Sequence, residues 1–464
     1  MSLLDRVWVH AQCRPEALAV TEGSQVLTYG QLERCTRQVA HQLAGLPSSV
    51  AVQASPSAAA VISILGAIRS GARLLLLDGG MKPAEVARAC EVAGIRHILA
   101  GAGIHPPEGL VEVAPPMEEE GTYPVELVDR SGEASILLLS SGTTGTPKVV
   151  VRPSASAEAA VSLFRSEVPI GPDDRVLGVL PFAHSFGLLF VLLNSLSGGG
   201  CLVLEPFAPR SAVRCIEAQR ITVLPATPFM FRMLAETPFD PLPDLGSVRL
   251  AIAAGSALPD RIYQGFKERF GLGILQSYGS TETGPVALAR PEHAGTVGLP
   301  YTGIELVFED TGSSGPEGRS GRPLRVLSPG AAQGYLGEPE ASASVFGGRG
   351  VSTGDLADLD SSGCLRILGR SRPMLSVAGK KVSPAEVEAC LLNHPAVEDA
   401  VVSGVPAEDG GHRIRAKVVA EPGVTTQQLQ AHVANQLAAY KVPREIQFAD
   451  PADRTSLGKV RHGQ

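Results

Sequence analysis

The sequence predicts an α/β protein: a large N-terminal domain of α/β sheets with a β-rich subdomain, and a small, mobile α+β C-terminal domain. Amphipathic helical patterns alternate with short apolar runs along most of the chain, as in parallel sheets covered by helices. From about Gly295 to Ser328 the chain becomes Gly-rich and carries hairpin signals, which indicates a β-rich subdomain. The pattern of predicted elements changes again near Arg370–Pro373, where helices and strands replace the Gly-rich segments. We therefore place the domains at residues 1–370 and 371–464.

The first elements are a strand followed by a helix, then two helix-and-strand units. In "LTYGQLERCTRQVAHQLAGL" a short strand leads into a helix with Leu32, Val39 and Leu43 on one face. The run "VISILGAIRSGARLLLLDGG" indicates a helix, a Gly turn and a buried strand. The run "KPAEVARACEVAGIRHILAG" repeats this order.

The middle of the chain contains five apolar runs that end in Gly, Pro or Ser. They are "VLGVLPF", "CLVLEPF", "ITVLPATP", "VRLAIAAG" and "GILQSYG". We expect each to form a strand whose carboxyl end opens into a loop, where ligands collect in open α/β sheets. Beyond the boundary, "SPAEVEACLLNHPAVEDAVVSGV" predicts a capped helix and a strand, and "TTQQLQAHVANQLAAYKVP" predicts a second helix.

Composition narrows the class of partner and the compartment. The 464 residues are 44% hydrophobic with a formal net charge of −7, and they include no long Lys/Arg run, which argues against nucleic-acid binding. The seven scattered cysteines favour reduced thiols in a cytoplasmic protein. The N-terminus lacks a signal-peptide pattern, and the most apolar segments fall short of a membrane span.

The stretch "LSSGTTGTPKVV", Leu139–Val150, has the composition of an anion-binding loop. Backbone N–H groups of a Gly/Thr/Ser-rich turn can converge on phosphate, with hydroxyls and a lysine adding donors and charge. It is not a Walker A loop, because Gly145 is followed by Thr146 and Pro147 rather than Lys and Ser/Thr. Taken alone, the stretch has a plain surface turn as its weaker alternative.

Further motifs follow this loop in a fixed order. They are "PFAHSFG" (Pro181–Gly187), "YGSTETG" (Tyr278–Gly284), "STGDLADLD" (Ser352–Asp360), "GRSRPMLSVAGKKVSPAEVE" (Gly369–Glu388) and "RTSLGKV" (Arg454–Val460). Together with "SSGTTGTPK" they resemble the signature motifs of the acyl-adenylate-forming superfamily. That group includes acyl- and aryl-CoA synthetases, luciferases and the adenylation domains of peptide synthetases. The resemblance spans nearly the whole chain.

The resemblance implies that ATP and Mg²⁺ activate a carboxylic acid as acyl-AMP. Thr143, Thr144 and Lys148 would contact the β- and γ-phosphates, Glu282 would hold Mg²⁺, and Thr281 would touch the α-phosphate. Tyr278 would pack on adenine, and Asp355, backed by Arg370, would accept hydrogen bonds from the ribose hydroxyls. The nucleotide-binding set implied in this way is Ser140, Ser141, Gly142, Thr143, Thr144, Gly145, Lys148, Gly255, Ser256, Ala257, Ser277, Tyr278, Gly279, Ser280, Asp355 and Arg370.

Lys459 is the main catalytic residue that the resemblance implies, together with His184, Thr281 and Glu282. A lysine on a small moving domain can bridge the acid's carboxylate and the α-phosphate, so its charge matters most in the transition state. His184 would gate the acyl pocket and need not act as a base, because the attacking carboxylate is already ionised at neutral pH.

The implied acid pocket is small and mostly apolar. Its lining would be Phe182, Ala183, His184, Ser185, Ala226, Ala254, Gly279 and Pro285. Ala183 stands where amino-acid-activating relatives place an Asp, and an unpaired ammonium in an apolar pocket is costly. We therefore expect an aryl or short- to medium-chain aliphatic acid.

The acceptor of the acyl group is most simply a thiol. CoA comes first, a free-standing acyl carrier protein second and an amine third, and Gly379, Lys380 and Lys381 would face the acceptor. A non-catalytic nucleotide-binding protein on the same scaffold is the alternative from another class. A P-loop phosphotransferase is weaker still, because the Walker pattern is missing.

The chain departs from the family pattern in four places, one of which is a pair of residues. Val149 replaces a common Gly, Arg372–Pro373 replaces an acidic pair at the hinge, Ser376 replaces a common Lys, and Asp453 replaces a Pro. The α region is disfavoured for a residue before proline. If Arg372 is the pivot of the hinge, Pro373 narrows its accessible ψ range, and the alternative is that rotation moves to Ser371 or Arg370.

Overall fold

The protein is described here by a computed structural model. The described residues are 3–46, 48–81, 83–99, 110–113, 134–140, 148–293, 295–309, 321–370, 375–377, 380–382, 384–406, 412–437 and 439–449.

The helices alternate with strands through the first half of the chain, as the sequence predicted. The α-helices are α1 (Leu3–Cys13), α2 (Tyr29–Ala44), α3 (Ala58–Arg69), α4 (Pro83–Ala93), α5 (Ser154–Glu167), α6 (Ser195–Gly198), α7 (Pro209–Gln219), α8 (Pro228–Glu236), α9 (Asp260–Phe270), α10 (Pro339–Phe346), α11 (Pro384–Leu392) and α12 (Thr426–Gln436). A π-helix covers Gly187–Asn194 and a 3₁₀ turn covers Ala439–Lys441.

The strands form five sheets within the described residues. Their bounds are β1 (Leu18–Glu22), β2 (Gln25–Thr28), β3 (Ser49–Gln53), β4 (Arg73–Leu77), β5 (His97–Leu99), β6 (Val111–Val113), β7 (Ser135–Ser140), β8 (Lys148–Pro153), β9 (Arg175–Gly178), β10 (Cys201–Leu204), β11 (Val223–Ala226), β12 (Leu250–Ala253), β13 (Ile274–Ser280), β14 (Gly284–Ala289), β15 (Leu299–Pro300), β16 (Glu305–Phe308), β17 (Arg322–Leu327), β18 (Gly334–Tyr335), β19 (Val351–Leu359), β20 (Leu365–Arg370), β21 (Leu375–Val377), β22 (Lys380–Val382), β23 (Val397–Pro406), β24 (His412–Ala420) and β25 (Glu445–Phe448).

Two large, mostly parallel sheets build the N-terminal part. The first has the spatial order β15-β14-β13-β12-β11-β9-β10-β1-β2, with parallel pairing from β13 to β1. The second has the order β18-β8-β7-β4-β3-β5-β6, with parallel pairing from β7 to β6. The five apolar runs of the middle segment are β9 to β13 of the first sheet, which confirms their prediction as strands.

The core of this part includes α2 and α3, which pack against each other. Thr28 and Gln31 form a capping box at the start of α2, and this fixes where the predicted strand gives way to the helix. Leu32, Val39 and Leu43 on the predicted face are at most 1% exposed. A Cβ at Gly66 of α3 would lie 2.5 Å from the Val39 Cβ, so this close helix contact requires glycine.

The later chain forms smaller sheets. An antiparallel sheet of order β16-β17-β19-β20 is the β-rich subdomain, and β23-β24-β25 form another sheet with α11 and α12. The residues of this last unit share their own apolar core, which includes Val387, Val402 and Leu429. The predicted α/β class, with a large N-terminal domain and a separate C-terminal one, is confirmed. The exact boundary at residue 370 stays a prediction.

No helix in the described ranges combines the length and the apolar character needed to cross a bilayer.

Candidate active site

Loops at the carboxyl ends of β11 and β12 carry several predicted site residues, where open α/β sheets place their ligands. Ala226 ends β11 and Ala254 follows β12, and both side chains are buried. The next residues, Gly255–Ala257, are exposed, and Gly255 has a φ of +92°, in the left-handed region that favours glycine. This edge therefore presents exposed backbone beside small apolar side chains.

Tyr278 and Asp355 meet across two sheets. The Tyr278 hydroxyl donates a 2.6 Å hydrogen bond to Asp355 Oδ2, and Asp355 is only 6% exposed. Its backbone N–H also donates to Thr353 Oγ1 at 3.0 Å. Arg370 pairs with Asp355 in the β19–β20 ladder, and only its backbone is described. The bond joins two residues that the sequence assigned to the same nucleoside, although they lie 77 positions apart.

The segment between β13 and β14 is a tight turn held by hydroxyls. Ser280 Oγ accepts hydrogen bonds from the N–H groups of Glu282, at 3.2 Å, and Thr283, at 3.1 Å. The Ser280 N–H in turn donates to Thr283 Oγ1 at 3.0 Å. Within the turn, these side-chain hydrogen bonds to the backbone take the place of the backbone hydrogen bonds between β13 and β14. They fix the conformation of the Thr281–Glu282 segment.

Glu282 is half-buried and has a hydrogen-bond donor at its carboxylate. The Tyr335 hydroxyl donates to Glu282 Oε1 at 3.1 Å, and the Ala332 N–H donates to the Glu282 carbonyl at 2.8 Å. Magnesium in nucleotide sites is commonly held by one or two carboxylates plus phosphate and water oxygens. Because the second Glu282 oxygen is not used by Tyr335, this donor set fits Mg²⁺. No cluster of three or more His, Cys, Asp or Glu occurs among the described residues.

A buried guanidinium connects this turn to β8, the strand that follows the predicted anion-binding loop. Arg152 of β8 is fully buried and donates to the Thr281 carbonyl at 2.6 Å, to Ser156 Oγ at 2.8 Å and to the Gly330 carbonyl. Burial lowers the pKa of Arg152 to about 10, and the negative charge of Glu282 opposes that shift. The side chain therefore stays charged at neutral pH, and it links three segments that meet only in the folded chain.

Strands β7 and β8 flank the predicted anion-binding loop. Ser140 and Lys148, the residues on either side of positions 141–147, pair with each other in this antiparallel ladder. The Lys148 ammonium lies 4.9 Å from the centre of the Tyr335 ring and 3.6 Å from Glu338 Oε2. Val149 is 2% exposed and packs among apolar side chains, so the fold accommodates its bulk within the core.

His184 is paired with an acidic residue from the other large sheet. His184 Nε2 lies 3.0 Å from Asp78 Oδ2, and Asp78 Oδ1 accepts a 2.8 Å bond from the Gly80 N–H. Asp78 directly follows β4, and both side chains remain partly exposed. A Cβ at Gly187 would lie 2.1 Å from the Pro181 carbonyl oxygen, so the tight turn after His184 requires glycine.

The other predicted pocket residues divide into buried and accessible ones. Phe182 and Ala226 are fully buried in the main core, and Ala183, Ala254 and Pro285 are buried as well. His184 and Ser185 are partly exposed, and Gly279 is exposed. Ser277 is buried with its Oγ 3.3 Å from the Tyr301 hydroxyl. The reachable polar groups of the predicted pocket thus lie at His184 and Ser185.

Some predicted site residues lie outside the described residues. These are Ser141, Gly142, Thr143, Thr144, Gly145, Gly379 and Lys459, together with the side chains of Arg370, Lys380 and Lys381. The Arg372–Pro373 hinge and Asp453 also lie outside, as does the side chain of Ser376. Their roles stay predictions.

Three site residues escaped the sequence reasoning: Asp78, Arg152 and Tyr335. Asp78 follows "RLLLL", and an acid directly after a buried strand was a usable signal. Arg152 is a charged residue inside the apolar run "VVVRP", and this was a second usable signal. Tyr335 carries no local signal, because its importance comes only from Glu282 and Lys148 beside it.

Comparisons with known proteins show the family to which the chain belongs. The family model described as AMP-binding enzyme matches residues 7–336, and the one described as AMP-binding enzyme C-terminal domain matches residues 386–459. A feruloyl-CoA synthase of Amycolatopsis sp. is 29% identical over 481 residues, covering 98% of this chain and 96% of that protein.

Two further similarities extend over almost the full chain. A fatty acid–acyl-carrier-protein ligase of Streptomyces coeruleorubidus, ScoC, is 29% identical over 492 residues, covering 99% of this chain and 95% of that protein. Among solved structures, ATP-bound MatB from Rhodopseudomonas palustris superposes with a TM-score of 0.84 at 25% identity, covering 99% of this chain and 97% of that one.

Proposed function

Because this chain belongs to the AMP-binding enzymes of the acyl-adenylate-forming superfamily, we propose that it is an acid–thiol ligase. It uses ATP and Mg²⁺ to convert a carboxylic acid into acyl-AMP and then into a thioester. The carboxylate oxygen attacks the α-phosphorus and pyrophosphate leaves. The deprotonated thiol then attacks the acyl carbon and AMP leaves.

One observation carries the proposal. The groups assigned to the nucleoside and the groups assigned to the phosphates lie at the two ends of one short segment. Tyr278, bonded to Asp355, stands at the start of the segment Tyr278–Glu282. Glu282, bonded to Tyr335, stands at its end, and Lys148 contacts the same tyrosine. A nucleotide laid along this segment would have its ribose at Asp355 and its phosphates at Glu282 and Lys148.

The chemistry brings an anion to another anion, so the site must reduce charge repulsion and align the reactants. Bound Mg²⁺ would neutralise phosphate charge at Glu282. Lys148 would carry the β- and γ-phosphates, and Thr281 would donate to the α-phosphate. Lys459 would bridge the entering carboxylate and the α-phosphate in the transition state.

We propose an uncharged aryl or short- to medium-chain aliphatic tail for the acid. The four segments that would line the tail, Pro181–Gly187, Pro225–Pro228, Ala253–Ala257 and Gly284–Leu288, contain no Lys, Arg, Asp or Glu. Asp78, the acid beside this lining, already pairs with His184, so an additional charge on the substrate would lose its hydration without a compensating partner in these segments. The similarity to a feruloyl-CoA synthase supports an aryl tail.

Acid-dependent pyrophosphate–ATP exchange across a panel of carboxylic acids tests the proposal. Exchange is expected with one or more uncharged aryl or aliphatic acids and to be weaker with α-amino acids and dicarboxylates. If no acid supports exchange while ATP still binds, the chain is a nucleotide-binding protein without this activity.

CoA is the proposed acceptor, with an acyl carrier protein second and an amine third. The similarity to ScoC, a fatty acid–acyl-carrier-protein ligase, supports the carrier protein as the second candidate. Mass analysis of the products with CoA, phosphopantetheinylated carrier protein or amine in parallel reactions separates the three.

Replacement of Asp78 by Asn is expected to lower kcat/KM for the acid about tenfold, with little change in ATP affinity. Asparagine can keep the bond from the Gly80 N–H but presents an N–H donor to His184 Nε2, so the imidazole loses its charged partner. Steady-state kinetics with the acid varied measure this effect.

Asp244→Asn is the matched control, because Asp244 Oδ1 accepts the same 2.8 Å turn bond, from the Gly246 N–H, on an exposed loop. Equal effects of the two substitutions would argue against a role of Asp78 through His184.

Replacement of Pro373 by Gly is expected to change thioester formation more than adenylation. The change frees Arg372 to enter the α region, so rotation of the C-terminal domain between half-reactions is altered while the adenylating groups are not. Pyrophosphate exchange and overall ligation, measured on the same preparation, report the two steps. Equal changes in both would count against this role for the hinge.

A further inference from the structure

Tyr335 stands between the two side chains that would manage the phosphate charge. Its hydroxyl donates to Glu282 Oε1 at 3.1 Å, while its ring centre lies 4.9 Å from the Lys148 ammonium. Phe346 holds the same ring in an edge-to-face contact with centroids 5.3 Å apart. One side chain therefore contacts both the proposed metal-binding carboxylate and the proposed phosphate-binding lysine.

The Tyr335 hydroxyl carries a hydrogen, and the Glu282 carboxylate beside it is the acceptor of that hydrogen. A hydrogen bond from a hydroxyl to a carboxylate is charge-assisted, so the bond to Oε1 restricts the orientation of the Glu282 carboxylate. Within the part of the chain that the structure describes, Oε2 of Glu282 accepts no hydrogen bond, so this oxygen can face a cation.

The backbones around this contact are fixed as well. Tyr335 pairs with Val150 in the β18–β8 ladder, so the strand that carries Tyr335 lies directly beside β8, the strand that carries Lys148. The Ala332 N–H donates to the Glu282 carbonyl, and buried Arg152 donates to the Thr281 carbonyl. A hydroxyl held on such a frame can restrict the carboxylate rather than follow it.

We propose that Tyr335 is a positioning residue that aims the Glu282 carboxylate at the metal ion and the Lys148 ammonium at the phosphates. The inference deepens the proposed function and rests on it, since it assumes that Glu282 binds Mg²⁺ with ATP. Partners that orient a metal ligand typically affect metal affinity or activity by about 10- to 100-fold when removed.

Tyr335→Phe tests the hydroxyl, because it keeps the ring beneath Lys148 and removes only the bond to Glu282. Calorimetric titration with ATP is run with and without Mg²⁺, and the Mg²⁺ dependence of pyrophosphate exchange is measured in parallel. The expected result is about tenfold weaker binding of Mg²⁺–ATP, a shift of the Mg²⁺ dependence to higher concentration, and unchanged binding of metal-free ATP.

Tyr29→Phe is the matched control. Tyr29 is 1% exposed and its hydroxyl donates to the carbonyls of Leu196 and Gly200, away from the site. We expect it to lower thermal stability without moving the Mg²⁺ dependence. If Tyr335→Phe behaves like Tyr29→Phe, or weakens ATP binding equally with and without metal, the positioning role is overturned.

Tyr335→Leu adds the loss of the ring. It is expected to weaken metal-free ATP binding as well, because the Lys148 ammonium loses its aromatic support. Metal-free binding equal to that of Tyr335→Phe would overturn the part of the proposal that concerns Lys148. Absence of acid-dependent exchange in the unaltered protein would instead defeat the proposed function, and the calorimetric comparison would still report on Tyr335.

Discussion

Replacement of Lys459 by Met is expected to lower acid-dependent pyrophosphate exchange by about a thousandfold while leaving ATP affinity nearly unchanged. The charge of this lysine would be used when the carboxylate and the α-phosphate approach each other, so its loss raises the barrier rather than weakening ground-state binding. Exchange kinetics and equilibrium binding of ATP measure the two quantities separately.

Measuring the second half-reaction by itself tests whether the Lys459→Met protein is impaired only in adenylation. Supplied with synthetic acyl-AMP and CoA, the Lys459→Met protein should still form the thioester, because that step does not unite two anions at the α-phosphate. Lys417→Met, in β24 of the same C-terminal unit, is the control and should retain both steps. A Lys459 variant that adenylates normally, or that loses both half-reactions alike, would contradict the assigned role.

Replacement of Asp355 by Asn is expected to weaken ATP and AMP binding by about a hundredfold. Two hydrogen bonds from ribose hydroxyls to a carboxylate are charge-assisted, and the amide removes that charge and one of the acceptors. The amide oxygen can still accept from the Tyr278 hydroxyl, so the fold should be only modestly destabilised. Equilibrium titration with AMP and thermal denaturation measure the two effects.

A control for this variant lies on the same strand. Asp358 of β19 is paired with Arg366 at the surface, with its Oδ2 2.7 Å from Arg366 Nη2, and Asp358→Asn should leave nucleotide affinity unchanged. If Asp355→Asn binds AMP as tightly as the unaltered protein, the ribose assignment is wrong. If the two variants lose affinity equally, the effect comes from the strand and not from the carboxylate.

The element types of the fold follow from local patterns. Leu32, Val39 and Leu43 recur at helical spacing, and in the structure they form the buried face of α2. The middle apolar runs are short, end in Gly, Pro or Ser, and become strands. The order of the strands in the sheet does not follow from these patterns. Val20 of β1 pairs with Leu202 of β10, 182 positions later, and both side chains belong to the same buried core.

The candidate site was predictable where a residue's chemistry is carried by its motif. Asp355 in "STGD" and Glu282 in "YGSTETG" were assigned to ribose and metal from the sequence. In the structure Asp355 is buried and Glu282 half-buried, and each carboxylate accepts a hydrogen bond from a tyrosine. The donors themselves were not predicted. Tyr335 and Arg152 act through bonds to groups far away in the chain, and such bonds leave no periodic signal.

The sequence by itself determined the helices, the strands and the kinds of functional group available, because these depend on neighbours within a few residues. Only the tertiary structure decided which groups meet: Asp78 with His184, Tyr278 with Asp355, and Tyr335 with Glu282. These pairs are 106, 77 and 53 positions apart. A hydrogen bond needs its atoms within about 3 Å, and only the pairing of strands from distant parts of the chain brings these atoms that close.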